Sequence, residues 1–190
     1  MVPWVVVACV LFSAPVWSLG GGFTLTADDG SRYSLADSRG HAVVLAFGYT
    51  FCPDVCPTAL ATIAGALNEI GGDAERVDAL FVSLDPDRDT PEVLRQYTRY
   101  FHPRLRGLTG DPEALREVAE RYHVSYAFVG KGENERYTLD HSANLYVIDE
   151  QGHLIQMLPH GLPPRALADS LRHALKRSGA QDTTAALPRP

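Results

Sequence analysis

The uninterrupted apolar run Ala42-Val43-Val44-Leu45-Ala46-Phe47 predicts a central strand covered on both faces, because a half-exposed strand would alternate with polar residues. Before it, Phe23 to Ala27 and Arg32 to Leu35 flank Asp28-Asp29-Gly30, which predicts a hairpin turning at Asp-Gly. After it the period changes. Leu60, Ile63, Leu67 and Ile70 recur at helical spacing, predicting a helix from Pro57 to about Ile70 that Gly71-Gly72 ends. A second strand, Asp78 to Leu84, leads through Asp85-Pro86-Asp87-Arg88-Asp89 into a helix capped by Thr90, with Pro91 at its first position and Leu94, Tyr97 and Phe101 on one face. Asp111-Pro112 repeats that start signal for a third helix carrying Leu115, Val118, Ala119 and Tyr122.

Ser125 to Val129 is extended and runs into a polar turn, Gly130 to Arg136. Leu145 to Ile148 and Leu154 to Met157, joined through Asp149 to Gly152, predict an antiparallel hairpin. A closing helix is expected from Pro164 to about Lys176, with Leu167, Leu171 and Leu175 on its buried face. Residues 178–190 have little to bury and are expected to be disordered. Two strand-helix units imply a parallel pair, and the later hairpin adds antiparallel strands. The expected fold is α/β: a mixed central sheet with helices on both faces and an N-terminal β-hairpin, the layout of a thioredoxin-like domain over residues 21–177.

The length of 190 residues suits one such domain. Seventeen basic residues stand against twenty-three acidic ones, a net charge of -6, and no run of Lys or Arg interrupts that balance. Nucleic acid is thereby excluded as an expected partner. Val2 to Trp17 is apolar apart from Ser13 and is followed by small residues, so residues 1–20 are expected to be a signal peptide or an uncleaved membrane anchor. Either one places the domain outside the cytoplasm, periplasmic or anchored facing the periplasm. No Lys or Arg precedes the stretch, so its orientation rests on hydrophobicity alone.

Cys9 lies in that leader, leaving Cys52 and Cys56 in the domain. A pair this close staples nothing distant, so redox or metal chemistry is the expected use. Each cysteine precedes a proline, which disfavours the α region for both and argues against a regular helix running through the pair. With Pro57 opening the helix, Cys56 falls at or beside its N-cap, where free N-H groups would lower a thiol pKa. A thiolate there serves metal ligation and disulfide attack equally. His141, in Asp140-His141-Ser142, would complete a soft three-coordinate set suited to Cu(I) and able to rearrange for Cu(II). Structural zinc would need a fourth ligand, and no other cysteine remains in the domain. Asp140 is the neighbouring candidate for orienting the imidazole. The Asp85-Asp87-Asp89 series lacks the glycine and terminal Glu of a calcium loop and is expected to turn the chain and cap the next helix.

Phe47-Gly48-Tyr49-Thr50-Phe51-Cys52-Pro53-Asp54-Val55-Cys56-Pro57, then Val82-Ser83-Leu84-Asp85-Pro86-Asp87-Arg88-Asp89-Thr90-Pro91, Leu108-Thr109-Gly110 and Asp140-His141-Ser142 resemble the Sco/SenC family in order and spacing, from about Phe23 to Lys176. The resemblance implies a thioredoxin fold whose CxxxC cysteines and distant histidine bind copper, here Cys52, Cys56 and His141. It also implies a chaperone role in assembling the CuA centre of cytochrome c oxidase, with the CuA subunit and other copper chaperones or thiol reductases as partners. The family's motif is shared by thiol reductases and by redox or copper-stress sensors. A metallochaperone and a thiol-disulfide oxidoreductase working through Cys52 and Cys56 therefore both remain open. Read without the family pattern, His141 is as ordinary as His41, His102, His123, His153, His160 or His173. Thioredoxins use CxxC and a cis-proline, whereas no proline lies between Tyr126 and Ile155 here, and a histidine is expected in that region.

Overall fold

The computed structural model describes residues 19–132 and 137–184. The expected leader, apart from its last two residues, lies outside the described residues. Along the chain come β1 (Thr24–Ala27), β2 (Arg32–Ser34), β3 (Ala42–Gly48), α1 (Val55–Ile70), β4 (Val77–Ser83), α2 (Pro91–Phe101) and β5 (Leu105–Thr109). They are followed by α3 (Pro112–Arg121), β6 (Tyr126–Val129), β7 (Thr138–His141), β8 (Leu145–Ile148), β9 (Leu154–Leu158) and α4 (Pro164–Thr184). One seven-stranded sheet has the order β2-β1-β5-β4-β3-β8-β9, and β6 and β7 form a separate ribbon. Within the large sheet β3, β4 and β5 are parallel, while β1, β2, β8 and β9 add antiparallel pairings. This is the mixed sheet with an N-terminal hairpin that the hydrophobic pattern predicts.

All seven residues of β3 are buried, and since successive side chains point to opposite faces, both faces of the sheet centre are covered. α1 contributes Leu60, Ile63, Leu67 and Ile70 to the core, and α4 contributes Leu167, Leu171 and Leu175, at the predicted spacings. α1 and α4 approach closely at Gly65, where a Cβ would lie 2.9 Å from the Pro164 ring. Phe47, Tyr122 and Tyr146 pack as three mutually tilted rings, with centroids 5.4 to 5.7 Å apart. No described helix is long and apolar enough to cross a membrane.

Four elements differ from expectation, among them β7, absent from the expected elements, which forms by antiparallel pairing with β6. β5 was not foreseen; it forms by parallel pairing with β4, and its Gly107 leaves room for Leu94, whose Cβ would sit 2.6 Å from an added side chain. α1 starts at Val55, so Cys56 is its second residue and the helix begins inside the cysteine pair. Pro57 is tolerated at the third helical position because an N-H there would have no intrahelical partner and its ring faces no helical turn behind it. α4 runs past Lys176 to Thr184, and the rest of the expected tail lies outside the described residues.

Candidate metal centre

β3 ends at Gly48 and delivers the chain to the cysteine loop. That loop is strapped down by Asp89, a fully buried carboxylate that accepts hydrogen bonds from Thr50 N at 2.9 Å, Thr50 Oγ1 at 2.5 Å and Ser83 Oγ at 2.6 Å. Burial raises the Asp89 pKa, and the Ser83 and Thr50 hydrogen bonds pull it back. The aspartate series thus turns the chain as predicted, but Asp89 fastens the cysteine loop, and capping of α2 falls to Thr90 through Val93 N at 3.4 Å.

The two cysteines are free thiols in different surroundings. Cys52 is 9% exposed, and its Sγ accepts the backbone N-H of Cys56 at 3.4 Å, so the amide at the start of α1 points at the first sulfur of the pair. Cys56 is 2% exposed, with its sulfur against Gly48. The expectation of a lowered Cys56 pKa is corrected. Burial pushes that thiol well up, because the sulfur points into the core and the helix-start amide serves its neighbour instead.

His141 closes β7, which pairs with β6 so that His141 stands opposite Tyr126. Its Nδ1 lies 2.9 Å from the Ser142 carbonyl oxygen. A carbonyl only accepts, so Nδ1 carries the proton and Nε2 keeps a free lone pair. That Nε2 lies 3.2 Å from Cys56 Sγ. Burial lowers the His141 pKa and favours the neutral, ligating form. The expectation that Asp140 orients the ring is also corrected: the Ser142 carbonyl does so, because the backbone after β7 turns back over the imidazole, and Asp140 contributes through its charge. Tyr49 meets the His141 ring edge-on with centroids 6.1 Å apart, and its hydroxyl accepts Leu139 N at 3.3 Å, tying the end of β3 to β7.

The donor atoms of Cys52, Cys56 and His141 all lie within 4.8 Å of one another. Among the described residues no other group of three or more His, Cys, Asp or Glu converges in this way. Two sulfurs and one imidazole nitrogen form a soft, low-coordinate set that fits monovalent copper and lacks the fourth donor of structural zinc.

Arg88 is the residue that sequence reasoning missed. Its Nε donates to Asp85 at 2.5 Å and its Nη1 to the Tyr137 carbonyl at 3.0 Å. Its guanidinium lies 3.7 Å from the Tyr137 ring centroid and 4.8 Å from that of Phe51, while the Tyr137 hydroxyl donates to Asp85 at 2.7 Å. The clamp joins the loop after β4 to the residue that precedes β7. Its partners lie too far apart in sequence for any local pattern to show it.

The sequence model described as SCO1/SenC matches residues 14–176. The chain belongs to the SCO1/SenC family. Protein SCO1 homolog, mitochondrial, from Homo sapiens is 40% identical over 139 residues, covering 72% of this chain and 46% of that protein. A SCO2-like protein of Rickettsia prowazekii (strain Madrid E) is 36% identical over 135 residues, 70% of this chain and 66% of its own length. The chain thus matches less than two thirds of either relative. Among solved structures, Bradyrhizobium japonicum ScoI with copper bound superposes with a TM-score of 0.77 at 37% identity, covering 83% of this chain and 100% of that one. Arabidopsis thaliana ScoI with copper bound gives 0.76 at 34% identity, covering 84% and 99%. The fold is that of the Sco proteins, thioredoxin-like in architecture.

Proposed function

We propose that this chain is an extracytoplasmic metallochaperone that carries one Cu(I) between Cys52 Sγ, Cys56 Sγ and His141 Nε2 and delivers it to the CuA subunit of cytochrome c oxidase. The observation that carries the reading is the convergence of two free thiols with an imidazole nitrogen whose lone pair is left open by the Ser142 hydrogen bond. The similar ScoI proteins of Arabidopsis thaliana and Bradyrhizobium japonicum were solved with copper bound, which supports copper as the cargo. The apolar stretch Val2 to Trp17 supports export or anchoring outside the cytoplasm.

Loading releases the protons of both thiols, since the thiolate is the ligating form. Cys56 is the deeper of the two cysteines, 2% against 9% exposed, and Cys52 is the more exposed sulfur. Release by ligand exchange therefore starts at Cys52, where an incoming thiolate from a recipient site has access. A low coordination number leaves room for that incoming ligand before the first bond breaks.

The two free thiols also support a second reading, thiol-disulfide exchange. Cys52, as thiolate, would attack a target disulfide; Cys56 would then displace the target thiol and leave the pair oxidised and the target reduced. His141 separates the two readings. Anaerobic Cu(I) titration of the reduced full chain against a competing chelator should show one tightly held copper. His141→Ala should weaken it by at least about tenfold. Copper held weakly, or equally well without the imidazole, would reject the ligand assignment and favour the exchange reading.

A further inference from the structure

A cleft of about 450 Å³ opens at the far end of the sheet from the metal centre. Val77 and Asp78 at the start of β4 and Leu105 at the start of β5 line it, whereas the cysteine loop follows the C-terminal end of β3. Because these strands are parallel, the two places lie at opposite ends of the sheet.

Four arginines reach this cleft: Arg32 from β2, Arg99 from the last turn of α2, Arg104, and Arg106 from β5. They are scattered in sequence, which is why no basic run betrays them in a chain of net charge -6. Carboxylates line the cleft as well, but each already has a partner. Asp28 accepts Gly107 N at 3.1 Å, Asp37 accepts Ser34 N at 2.8 Å, and Asp29 accepts Ser31 N at 2.9 Å. Asp78 accepts Ser38 Oγ at 2.6 Å and lies 3.3 Å from His41 Nδ1. The guanidiniums have few commitments, the Arg106 group lying over the Tyr33 ring at 5.6 Å from its centroid. Arg32 and Arg99 have no hydrogen bond or ion pair among the described residues, while Arg104 and Arg106 stand 3.8 Å and 4.0 Å from Glu75 and Asp29, beyond hydrogen-bonding distance.

We infer that this cleft is a binding site for a compact soluble oxyanion of the diphosphate class, held by Arg32, Arg99, Arg104 and Arg106. Guanidinium forks match phosphate oxygens two at a time. β2 and β5 are separated by one strand, about 10 Å at the backbone, so a ligand engaging both Arg32 and Arg106 gains by carrying two linked phosphoryl groups. The site is independent of copper and lies outside the metal-binding reading.

Calorimetric titration of the copper-free full chain with inorganic pyrophosphate tests this, beside the Arg32→Gln/Arg99→Gln double variant. The expected result is saturable one-to-one binding that weakens with added salt and falls at least about tenfold in the variant. Unchanged Cu(I) affinity in that variant shows that its fold is intact, both side chains being exposed. Absence of saturable binding, or equal binding by the variant, overturns the proposal. Vesicles of phosphatidylglycerol and of phosphatidylcholine form a second arm. Attachment to the anionic vesicles that requires the two arginines and is not displaced by pyrophosphate would assign the cleft to a lipid surface and overturn the soluble ligand.

Discussion

Gly48 and Cys56 are packed so that a Cβ on the glycine would overlap the cysteine sulfur. The last residue of β3 is therefore the floor of the metal centre. The same Cβ would press on the Phe81 ring at 3.0 Å and 3.2 Å, so both the sulfur and the ring would have to give way. Gly48→Ala should cost about 1–3 kcal/mol of stability by overpacking. It should also weaken Cu(I) binding at least about tenfold by displacing Cys56 Sγ from His141 Nε2. Thermal unfolding together with chelator competition checks both, and native copper affinity in a folded variant would refute the floor assignment.

The imidazole is oriented by a main-chain carbonyl, so the acidic neighbour is dispensable. Asp140→Asn should leave Cu(I) affinity within about threefold of the parent, because the Nδ1 hydrogen bond to Ser142 survives it. The same chelator competition measures this, and a loss as large as that of His141→Ala would return the orienting role to Asp140.

Much of this architecture was legible in the chain because local and tertiary preferences agree there. The apolar run of β3, the Thr90-Pro91 and Asp111-Pro112 helix starts and the hairpin of β8 and β9 all appear where the pattern puts them. β5 was not legible: Leu105-Arg106-Gly107-Leu108-Thr109 is short and carries a charge and a glycine, and only pairing between β1 and β4 makes it a strand. The entry to α1 was misread for a related reason. The proline rule disfavours Cys56 in a helix, but burial of its sulfur and the N-H bond to Cys52 Sγ outweigh that local preference. The metal cluster itself rests on a sequence separation of 85 residues between Cys56 and His141, which no periodicity encodes and only the family pattern suggested.

Asp89 makes stability depend on pH. Its pKa in the fold is raised by burial above the ordinary value of 3.8, so over the window just above 3.8 the native state keeps a proton that the unfolded chain has released. Protonated Asp89 thus favours folding, and stability falls as pH rises through that window. Asp89→Asn should flatten this fall, which urea unfolding of both proteins from pH 4 to 7 would reveal. Asp89→Ala differs, since it strands the Thr50 and Ser83 donors and should cost about 3 kcal/mol. An unchanged slope in Asp89→Asn would show that other carboxylates govern the pH response.

Arg88 should act on copper without touching it. Its guanidinium holds the Tyr137 carbonyl and ring while its Nε holds Asp85, so the segment leading into β7 is fixed from three directions. Arg88→Ala releases that clamp and leaves Asp85, fully buried, with the Tyr137 hydroxyl and no cation. The β6–β7 ribbon should then swing more freely about the Tyr49 contact, lowering Cu(I) affinity about tenfold through His141. Amide exchange should accelerate at Leu139, whose N-H is held by the Tyr49 hydroxyl, while amides of β3 keep their protection. Arg88→Lys keeps the charge but loses the planar fork and the stacking, so it should restore little of the affinity. Full restoration by lysine would mean that Arg88 acts through charge alone, and faster exchange across β3 would mean that the substitution damages the whole fold.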